Sequence, residues 1–356
     1  MINAVVGIDI GGTSTKFGII DKKGQCLGVN SINTCQYDKF DKFSEHLYKE
    51  IQGLNCSLGK EINIKGVGVG APNGNYYRGT INHPPNLNWK RIVPFVKKFK
   101  KYFPDIPVVL TNDAKAAAIG EMVYGGAKNM KNFVVVTLGT GLGSAFVVDG
   151  HLVYGNDGFA GELGHVNVEQ NGRICRCGNK GCLEAYVSAT GIKRTFFNLL
   201  CSRSKKSDLR HVSFNELTSK MIYDAARKGD VIALEAFAIT GEILGVKLSD
   251  VVAITNPEAI FILGGLAQAG DLIFKPTQQF MEKNLFPVFR GKVKILPSKL
   301  KGENAAVLGA GALAWNELNI QSITKRKVLQ NPINYTLYKM TKKWTLQEKN
   351  GKLTSS

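Results

Sequence analysis

Residues 5–16 read VVGIDIGGTSTK, an apolar run that ends at an aspartate and then opens into glycine and threonine. The apolar residues Val5–Ile10 predict a buried β-strand, and Lys16–Ile20 predicts a second strand that returns after the turn. Glycine lets a ligand approach the main chain, whose amide groups can donate to phosphate oxygens, and threonine hydroxyls add further donors. The sequence therefore predicts a phosphate-binding turn made by Gly11, Gly12 and Thr13.

Two charged residues flank this turn. Asp9 is expected to hold a Mg²⁺ ion with its water shell, because that ion prefers carboxylates and phosphate oxygens as ligands. Lys16 would complement the charge of the phosphate. A plain β-hairpin without a ligand fits a single turn of this kind equally well, since the segment matches neither the P-loop nor the dinucleotide-binding pattern.

The same pattern returns in the middle of the chain. Phe133–Leu138 predicts a strand, Ser144–Val148 a returning strand, and Asp149-Gly150 a hairpin turn. The turn between the two strands is again rich in glycine and threonine, Gly139-Thr140-Gly141-Leu142-Gly143. Two such hairpins in one chain favour phosphate binding more strongly than either does alone.

The remaining segments mix strands with helices, which predicts an α/β fold. Strands are expected at Gly66–Ala71, Val108–Leu110 and Ala259–Leu263. Helices are expected at about residues 42–54, 92–103, 114–121, 183–200, 214–246 and 303–318. Asn73–Trp89 predicts a long loop, and since such loops are usually functional or disordered, its aromatic residues favour a functional one.

The composition is that of a globular protein, with 44% hydrophobic and 21% charged residues among 356. No stretch approaches the roughly 18 apolar residues of a transmembrane helix, and the N-terminus lacks the pattern of a secretory leader. We therefore expect a cytoplasmic protein that has no membrane partner. The seven cysteines are odd in number and unevenly spaced, which argues against a secreted disulfide framework.

The net charge of +18 raises the question of a nucleic-acid partner. The last 40 residues, 317–356, carry eight Lys or Arg against two Glu, and further basic clusters lie at Lys97–Lys101 and Arg203–Arg210. The lysines of the first cluster fall largely on the polar side of an amphipathic pattern, which favours a solvated helix face over a DNA-binding patch. A basic surround also favours an anionic substrate such as ATP.

Three of the cysteines, Cys175, Cys177 and Cys182, lie within eight residues, and His165 precedes them. Three thiolates and one imidazole suit a closed tetrahedral Zn²⁺ site, and the glycines between the cysteines would let the loop turn its sulfurs inward. Four protein ligands leave no open coordination position, so the pattern indicates a structural rather than a catalytic zinc ion.

This cysteine segment carries a family resemblance. Glu162-Leu163-Gly164-His165 and the segment CRCGNKGCLE at residues 175–184 resemble the signature of the ROK family (repressors, open reading frames and sugar kinases), whose Glu-x-Gly-His and Cys-x-Cys-Gly-x-x-Gly-Cys-x-Glu patterns match at every fixed position. The two glycine turns resemble the first and second phosphate motifs of the actin/hexokinase/Hsp70 ATPase fold. Leu263-Gly264-Gly265-Leu266 resembles its adenosine-binding turn. The resemblance runs from about residue 4 to about residue 315.

The resemblance implies a two-lobed actin-like ATPase (ribonuclease H-like) fold with a cleft between the lobes. The small lobe would comprise residues 1–112, and the large lobe, with the zinc motif and the nucleotide site, residues 113–302. A C-terminal helix at 303–318 would pack back on the small lobe, and residues 319–356 would form a basic tail of unknown role. Family members are often dimers, so a homodimer or higher homo-oligomer is expected.

The resemblance also implies an ATP- and Mg²⁺-dependent sugar kinase, similar in particular to bacterial glucokinases. Asp113 would be the general base that takes the proton from the sugar's 6-hydroxyl as it attacks the γ-phosphate. Outside this context an Asn-Asp pair is more often a turn or a helix cap. Residues expected to contact or border the sugar are Gly70, Ala71, Asn86, Asn112, Glu162, His165 and Glu184. The expected nucleotide contacts are Asp9, Gly11, Gly12, Thr13, Lys16, Gly139, Thr140, Gly141, Gly143, Gly264 and Gly265.

The zinc ion would then brace sugar recognition, because His165 would bind the metal through one ring nitrogen and a sugar hydroxyl through the other. Two alternatives stay open. Kinases for mannose, fructose, allose, N-acetylmannosamine and N-acetylglucosamine share these motifs. Sugar-responsive ROK repressors carry a helix-turn-helix domain ahead of the first strand, whereas only about three residues precede it here, which favours the enzyme.

Overall fold

The computed structural model describes residues 1–84, 86–89, 91–300 and 304–330, with side chains through Ser322. Twelve strands lie in this part of the chain. They are β1 (Ile2–Ile10), β2 (Ser14–Asp21), β3 (Cys26–Asn33), β4 (Ile62–Ala71), β5 (Gly74–Asn75), β6 (Thr80–Ile81), β7 (Val108–Asn112), β8 (Phe133–Leu138), β9 (Leu142–Val148), β10 (His151–Leu152), β11 (Ala259–Leu263) and β12 (Lys294–Pro297).

Two five-stranded sheets share one topology. The first has the order β3-β2-β1-β4-β7 and the second the order β10-β9-β8-β11-β12. In each, the first three strands form an antiparallel meander. The fourth strand pairs in parallel with the first strand of the meander, and the fifth pairs in parallel with the fourth. The chain therefore contains the same sheet twice, each begun by one of the glycine-threonine hairpins.

Eight α-helices cover these sheets. They are α1 (Phe40–Ser57), α2 (Phe95–Phe99), α3 (Asp113–Val123), α4 (Ala189–Ser202), α5 (Ser219–Arg227), α6 (Val231–Thr255), α7 (Asp271–Asn284) and α8 (Ala305–Gln330), counted over the described residues. Aromatic side chains of α1 and α2 pack with Trp89 to form the core on the first sheet, where the Phe43 and Trp89 rings lie 4.6 Å apart. Helices α4, α6 and α7 bury an aliphatic core against the second sheet. Each sheet thus has its own hydrophobic core.

A row of glycines lets α8 return from the end of the chain onto the first sheet. Gly18, Gly7 and Gly68 lie opposite one another on β2, β1 and β4. A Cβ atom on Gly7 or Gly68 would collide with a main-chain carbonyl oxygen of α8, so only glycine permits this close approach. Val307 and Trp315 of the helix then pack against Val5 and Ile20 of the sheet.

Several helix boundaries differ from those expected from the sequence. The expected helix at 92–103 begins at Phe95, because Pro94 occupies the cap position; Ile92 lies outside it and is 52% exposed. The expected helix at 214–246 is two helices, since Gly229 has a positive φ and Asp230 caps α6. At 183–200 a short 3₁₀ turn precedes α4, which begins at Ala189.

Two further expectations change at a loop and at the C-terminus. Asn73–Trp89 is not wholly irregular, because it contains the small antiparallel hairpin of β5 and β6. Helix α8 continues to Gln330, so the expected end of the C-terminal helix at residue 318 was wrong. Residues 331–356 of the basic tail lie outside the described residues. No helix in the described part of the chain is long and apolar enough to span a membrane.

Candidate active site

A cavity of about 580 Å³ opens between the two sheets. This volume lies in the range of small-molecule sites. Both glycine turns and both ends of the cysteine segment contribute to its wall. Its lining comprises Asp9, Ile10, Gly11, Gly12, Pro72, Asn73, His83, Asn86, Asn112, Asp113, Thr137, Gly139, Thr140, Gly141, Leu142, Gly143, Glu162, His165, Arg176, Cys177, Glu184 and Gly264.

The first glycine turn is held by its own strands and by the long loop. The Gly11 N–H donates to the carbonyl of Ser14 at 3.0 Å, which closes the turn between β1 and β2. A Cβ on Gly12 would lie 2.5 Å from the carbonyl oxygen of Asn86, so glycine at this position lets Asn86 reach the turn. Asn86 therefore meets the first turn at the cavity, although 72 residues lie between Thr13 and Asn86 along the chain.

Asp113 stands at the N-terminus of α3, directly after β7. Asn112 caps the helix, and its side-chain oxygen accepts from the N–H of Ala114 at 2.9 Å. The capping role and the position in the cavity wall are compatible, because Asn112 ends β7 at the edge where β1 and β4 also end. The side chain of Asp113 is accessible to solvent through the open cavity.

Two carboxylates meet at this edge of the first sheet. Gly70 on β4 lies opposite Asp9, and a Cβ built on it would be 3.6 Å from the Cα of Asp113. Burial raises the pKa of Asp9 to about 7, and the negative charge of Asp113 adds to this, while Lys16 opposes it. The protein that encloses Asp113 on the sides away from the cavity raises the pKa of this carboxyl by desolvation, against the opposing N–H groups at the helix start and the charge of Lys115. Since the ionised forms of both carboxyls are destabilised, a cation bound beside them would stabilise their charge, and carboxylates with phosphate oxygens are the ligands that Mg²⁺ prefers.

The second glycine turn is fixed from outside by the segment that follows the cysteines. The Leu142 N–H donates to Glu184 Oε2 at 2.9 Å, and the Ala189 N–H donates to the carbonyl of Gly139 at 2.9 Å. A Cβ on Gly141 would collide with the Glu184 carboxylate. Gly264, with a φ of 102°, packs against the main chain of Leu138 and brings the turn after β11 to the same cavity.

The four predicted zinc ligands come together. One donor atom from each of His165, Cys175, Cys177 and Cys182 lies within 4.8 Å of the others. The Cys177 and Cys182 sulfurs are 3.6 Å apart, and Cys175 Sγ is 3.9 Å from His165 Nδ1. Donors at zinc bond lengths around one tetrahedral centre lie roughly 3.3–3.8 Å apart, so the donor set suits Zn²⁺ and its wider pairs would contract around the ion. The cysteines are free thiols, as the separation far exceeds the roughly 2.05 Å of a disulfide.

Glu162 and His165 are presented by a short turn that packs on β9. Gly164 lies so close to the Leu142 carbonyl that a side chain would not fit, and the Leu163 N–H donates to Ser144 Oγ at 3.0 Å. His165 directs Nδ1 toward Cys175, which leaves Nε2 for another partner. Burial raises the pKa of Glu162, while Lys115 and His165 oppose the shift. The turn therefore carries an acid and an imidazole to the cavity beside the cysteine cluster.

Most of the predicted sugar and nucleotide contacts line the cavity, but five do not. Thr13, Lys16, Gly70, Ala71 and Gly265 lie outside its lining, although Lys16 pairs with Asp9 across the hairpin and Gly70 lies next to Asp113. Gly70 and Ala71 belong to β4, and their position at the border of a sugar site stays a prediction.

The sequence reasoning missed Asn73, His83 and Arg176. Asn73 and His83 have φ values of 52° and 44°, a conformation that non-glycine residues rarely adopt and that often marks functional sites. Arg176 stands between two predicted zinc ligands, and this placement was the one local signal that pointed to it.

Comparison with known proteins shows the family and the fold of this chain. The model of the ROK family matches residues 5–317. A glucokinase of Halalkalibacterium halodurans is 33% identical over 322 residues, which is 88% of this chain and 96% of that protein. A ROK family glucokinase from Streptomyces griseus, solved in complex with glucose and AMPPNP, superposes with a TM-score of 0.73 at 29% identity, covering 88% of this chain and 99% of that one. A xylose repressor of Bacillus spizizenii is 31% identical over 248 residues, 70% of this chain and 60% of that protein.

The chain belongs to the ROK family, and its fold is the two-lobed actin-like ATPase fold. Both were expected from the sequence and are confirmed. The glucokinase relatives support a sugar kinase. Other relatives are named as xylose repressors, so the family also contains regulators.

Proposed function

We propose that the protein transfers the γ-phosphoryl group of ATP to the 6-hydroxyl of a hexose, with glucose as the first candidate and Asp113 as the general base. The observation that carries this proposal is the position of Asp113. It lines the same cavity as the two glycine turns, Glu162 and His165, and its charge acts on Asp9. A carboxylate there can accept the proton of a sugar hydroxyl whose oxygen faces a phosphate.

The two glycine turns are the argument for a binding site of the phosphoryl donor, ATP. Both line one cavity, where the main-chain amides of such turns can donate to phosphate oxygens, and Gly264 brings the turn after β11 to the same place for the adenosine. Asp9 and the phosphate oxygens would hold Mg²⁺, which supplies positive charge for the phosphate when it is bound. Lys16 lies opposite Asp9 in the register of β1 and β2, and it would lie on the phosphate side of that carboxylate.

The sugar side rests on Asn86, Asn112, Glu162, His165 and Glu184, all of which line the cavity. Carboxylates and amides of this kind pair with several hydroxyls, and an unmatched buried polar group costs about 1–3 kcal/mol, so the pocket can select hydroxyl stereochemistry. Asp113 would accept the 6-hydroxyl proton as the oxygen attacks the γ-phosphorus, and the bond from that phosphorus to the β-γ bridging oxygen breaks. Closure of the two lobes would exclude water from the reaction.

His165, Cys175, Cys177 and Cys182 would hold a structural Zn²⁺ ion. Three sulfurs and an imidazole gathered within 4.8 Å of one another support that ion, and a bound ion would fix the loop that carries His165 and Glu184. His165 Nε2 would remain free to meet a sugar hydroxyl. The metal takes no part in phosphoryl transfer in this proposal.

An ADP-release assay against a panel of sugars tests the proposal. The panel contains glucose, mannose, fructose, allose, N-acetylmannosamine and N-acetylglucosamine, each measured with MgATP. We expect turnover with glucose, and a roughly 100- to 10,000-fold loss of kcat in Asp113→Asn with zinc content unchanged. Asp271→Asn removes a carboxylate whose side chain is 75% exposed on α7, and it serves as the matched control with wild-type turnover.

Two results would contradict parts of the proposal. Near-normal turnover in Asp113→Asn would remove the general-base assignment. Absence of ADP release with every sugar, combined with sugar binding in calorimetry, would instead favour a sugar-responsive regulator, the activity that the name of the xylose repressor relative implies for that protein.

A further inference from the structure

The small hairpin of β5 and β6 reaches from the first half of the chain to the second. Asn75 of β5 is fully buried, although its side chain is polar. Its Nδ2 donates to the main-chain carbonyl of Asp157 at 2.6 Å, and its Oδ1 accepts from the N–H of Arg78 at 3.0 Å. A buried amide has to keep such bonds, because it has lost the hydrogen bonds that it made to water. Asn75 thus ties the hairpin to the segment that follows β10.

The segment at residues 153–161, which follows β10, is shaped around this side chain. Gly158 of the segment is buried and has a φ of 94°, a conformation that favours glycine. A Cβ atom on Gly158 would lie 2.8 Å from Asn75 Nδ2, so a larger residue would push the segment away from the amide. The Ala160 N–H donates to the carbonyl of Tyr154 at 3.0 Å, which closes the segment on itself. The segment therefore fits the hairpin in one defined position.

The hairpin is itself fixed on the first sheet. A Cβ atom on Gly74 would lie 2.3 Å from the carbonyl oxygen of Thr111, so glycine lets β5 lie directly against the end of β7. Tyr76, the residue after β5, donates from its hydroxyl to Glu317 Oε2 of α8 at 2.8 Å. The Tyr76 ring also stacks on the ring of Tyr154, with the ring centres 4.7 Å apart and the planes inclined by 15°. A buried hydrogen bond and a ring stack thus join the hairpin to the same segment.

Both joined segments continue into the cavity wall. The hairpin lies between Asn73 and His83, which line the cavity. The 153–161 segment leads to Glu162 and His165, which line the cavity as well. None of the four residues that make the hydrogen bond between the segments and the ring stack is among the lining residues. The contact therefore joins two parts of the wall without forming part of it.

We propose that Asn75 is a positioning residue, whose amide fixes the place of the turn with Glu162 and His165 relative to the long loop. Since the hairpin is seated on β7, loss of the bond to Asp157 would release the 153–161 segment, and a bound sugar would lose contacts on that side. The inference rests on the proposed function, because the sugar contacts of the wall belong to that proposal.

The proposed nucleotide turns are closed by other bonds. The Gly11 N–H of the first turn donates to the carbonyl of Ser14, and the second turn is held by Glu184 and Ala189. Substitution of Asn75 should therefore separate the two substrates in a kinetic measurement, because sugar affinity falls and ATP affinity does not. An asparagine that served only the stability of the fold would lower the unfolding temperature without separating the substrates.

The test compares Asn75→Ala, Asn75→Ser and Asn284→Ala with the wild type. Asn75→Ala removes both bonds of the side chain. Asn75→Ser keeps a hydroxyl that can accept from the Arg78 N–H but is too short for the Asp157 carbonyl, and it is the milder variant should alanine prevent folding. Asn284 on α7 is exposed and donates to the carbonyl of Phe280 at 2.8 Å, so the control loses the same kind of bond outside the cavity lining. Initial rates give the KM for glucose and for MgATP, and thermal melts give the unfolding temperature.

We expect the sugar KM to rise by about tenfold in Asn75→Ala and Asn75→Ser, while the KM for ATP stays within about twofold of the wild type. Asn284→Ala should keep both wild-type values. A purely structural Asn75 would lower the unfolding temperature and leave both KM values in place. An unchanged sugar KM in the Asn75 variants, or an equal rise in the two KM values, overturns the inference.

A second readout does not need turnover. Hydrogen–deuterium exchange followed by mass spectrometry reports how often the amides of residues 153–165 open to solvent. Exchange in this stretch should be at least about fivefold faster in both Asn75 variants and unchanged in Asn284→Ala. Wild-type exchange in the Asn75 variants contradicts the inference. If the wild type phosphorylates no sugar, the proposed function fails, while the exchange still decides whether Asn75 holds the segment in place.

Discussion

The two glycine turns occupy equivalent places in two sheets of the same topology, but they are built differently. Asp9 on β1 corresponds to Thr137 on β8, since each precedes its first turn glycine by two residues. The hydroxyl of Thr137 accepts from the Gly143 N–H at 3.2 Å and so serves the turn itself. No hydrogen bond holds the Asp9 carboxylate within the described residues, which leaves it free for a ligand.

The supports of the turns differ as well. The first turn is closed by its own hairpin and by Asn86 of the long loop. The second is held by Glu184 and Ala189, which follow the last cysteine of the zinc cluster. One sheet topology therefore yields a turn that follows a carboxylate without a hydrogen-bond partner among the described residues and a turn whose shape depends on the cysteine segment. This difference couples the proposed donor site to the proposed zinc site.

The largest expected effect is the difference in kcat between substitutions at Asp9 and at Thr137, the equivalent residues before the two turns. Asp9→Asn should lower kcat with MgATP by at least about 100-fold, because the carboxylate that would hold the metal is lost. Thr137→Val, at the equivalent place, removes only an internal hydrogen bond of about 1 kcal/mol and should lower kcat by less than about tenfold. Steady-state kinetics over a range of Mg²⁺ concentrations checks both. Equal losses would show that the turns are not specialised.

Loss of the cysteine cluster should affect both substrates. Cys177→Ser, or chelation of the purified protein, should weaken sugar affinity by about 10- to 100-fold and lower the unfolding temperature, because the loop with His165 and Glu184 loses its brace. The KM for ATP should also rise, since Glu184 supports the second turn. Cys201→Ser is the control, as this exposed cysteine lies on α4 outside the cluster. Full activity in zinc-free protein would contradict the coupling.

Two glycines of the second turn give a matched pair of substitutions. Gly141→Ala places a methyl group against the Glu184 carboxylate and should cost about 1–3 kcal/mol of unfolding free energy and raise the ATP KM. Gly139→Ala meets no protein atom within 4 Å and should leave stability within about 0.5 kcal/mol. Denaturant unfolding measures both. If Gly139→Ala is the more destabilising of the two, the contact with Glu184 does not shape the turn.

The smallest effect concerns the free energy of the metal-free protein. The pKa of Asp9 is about 7 in the folded protein and 3.8 as the ordinary value, so the folded state holds the proton between these pH values. Ionised Asp9 therefore destabilises the fold, and its contribution to stability falls as pH rises from about 4 to 7. Asp9→Asn should remove this dependence and stabilise the metal-free protein at pH 8, by on the order of 2 kcal/mol. Thermal melts in EDTA at pH 5 and pH 8 measure it, and equal melts for both proteins at pH 8 would contradict it.

Much of the fold followed from local sequence signals. The strands Phe133–Leu138 and Ala259–Leu263 have the bounds that were expected, because a short apolar run between turn residues is typical of a buried strand. Helix ends were less predictable, since Pro94, Gly229 and Asp230 interrupt amphipathic patterns that continue past them. The domain boundaries at residues 112, 302 and 318 stay predictions as domain limits, apart from the corrected end of α8.

The candidate site was predictable where chemistry and spacing coincide in the sequence. The four metal-ligand candidates follow from residue types that bind zinc within a short glycine-containing segment, and the structure brings them together. Asn73 and His83 carry no such pattern, because their importance lies in a backbone conformation that only the folded loop imposes. The roles of the sugar and nucleotide contacts stay predictions that the substitutions above test.

The sequence by itself determined the two hairpins, the cysteine cluster and the family, because turn geometry, capping and ligand spacing are set by residues close together in the chain. The tertiary structure decided how these parts meet. It placed Glu184 on the turn that begins at Gly139, returned α8 to the glycine row of the first sheet, and buried the side chain of Lys115. Burial and long-range contact are properties of packing between distant segments, and a charge acquires its role only from the groups that packing places around it.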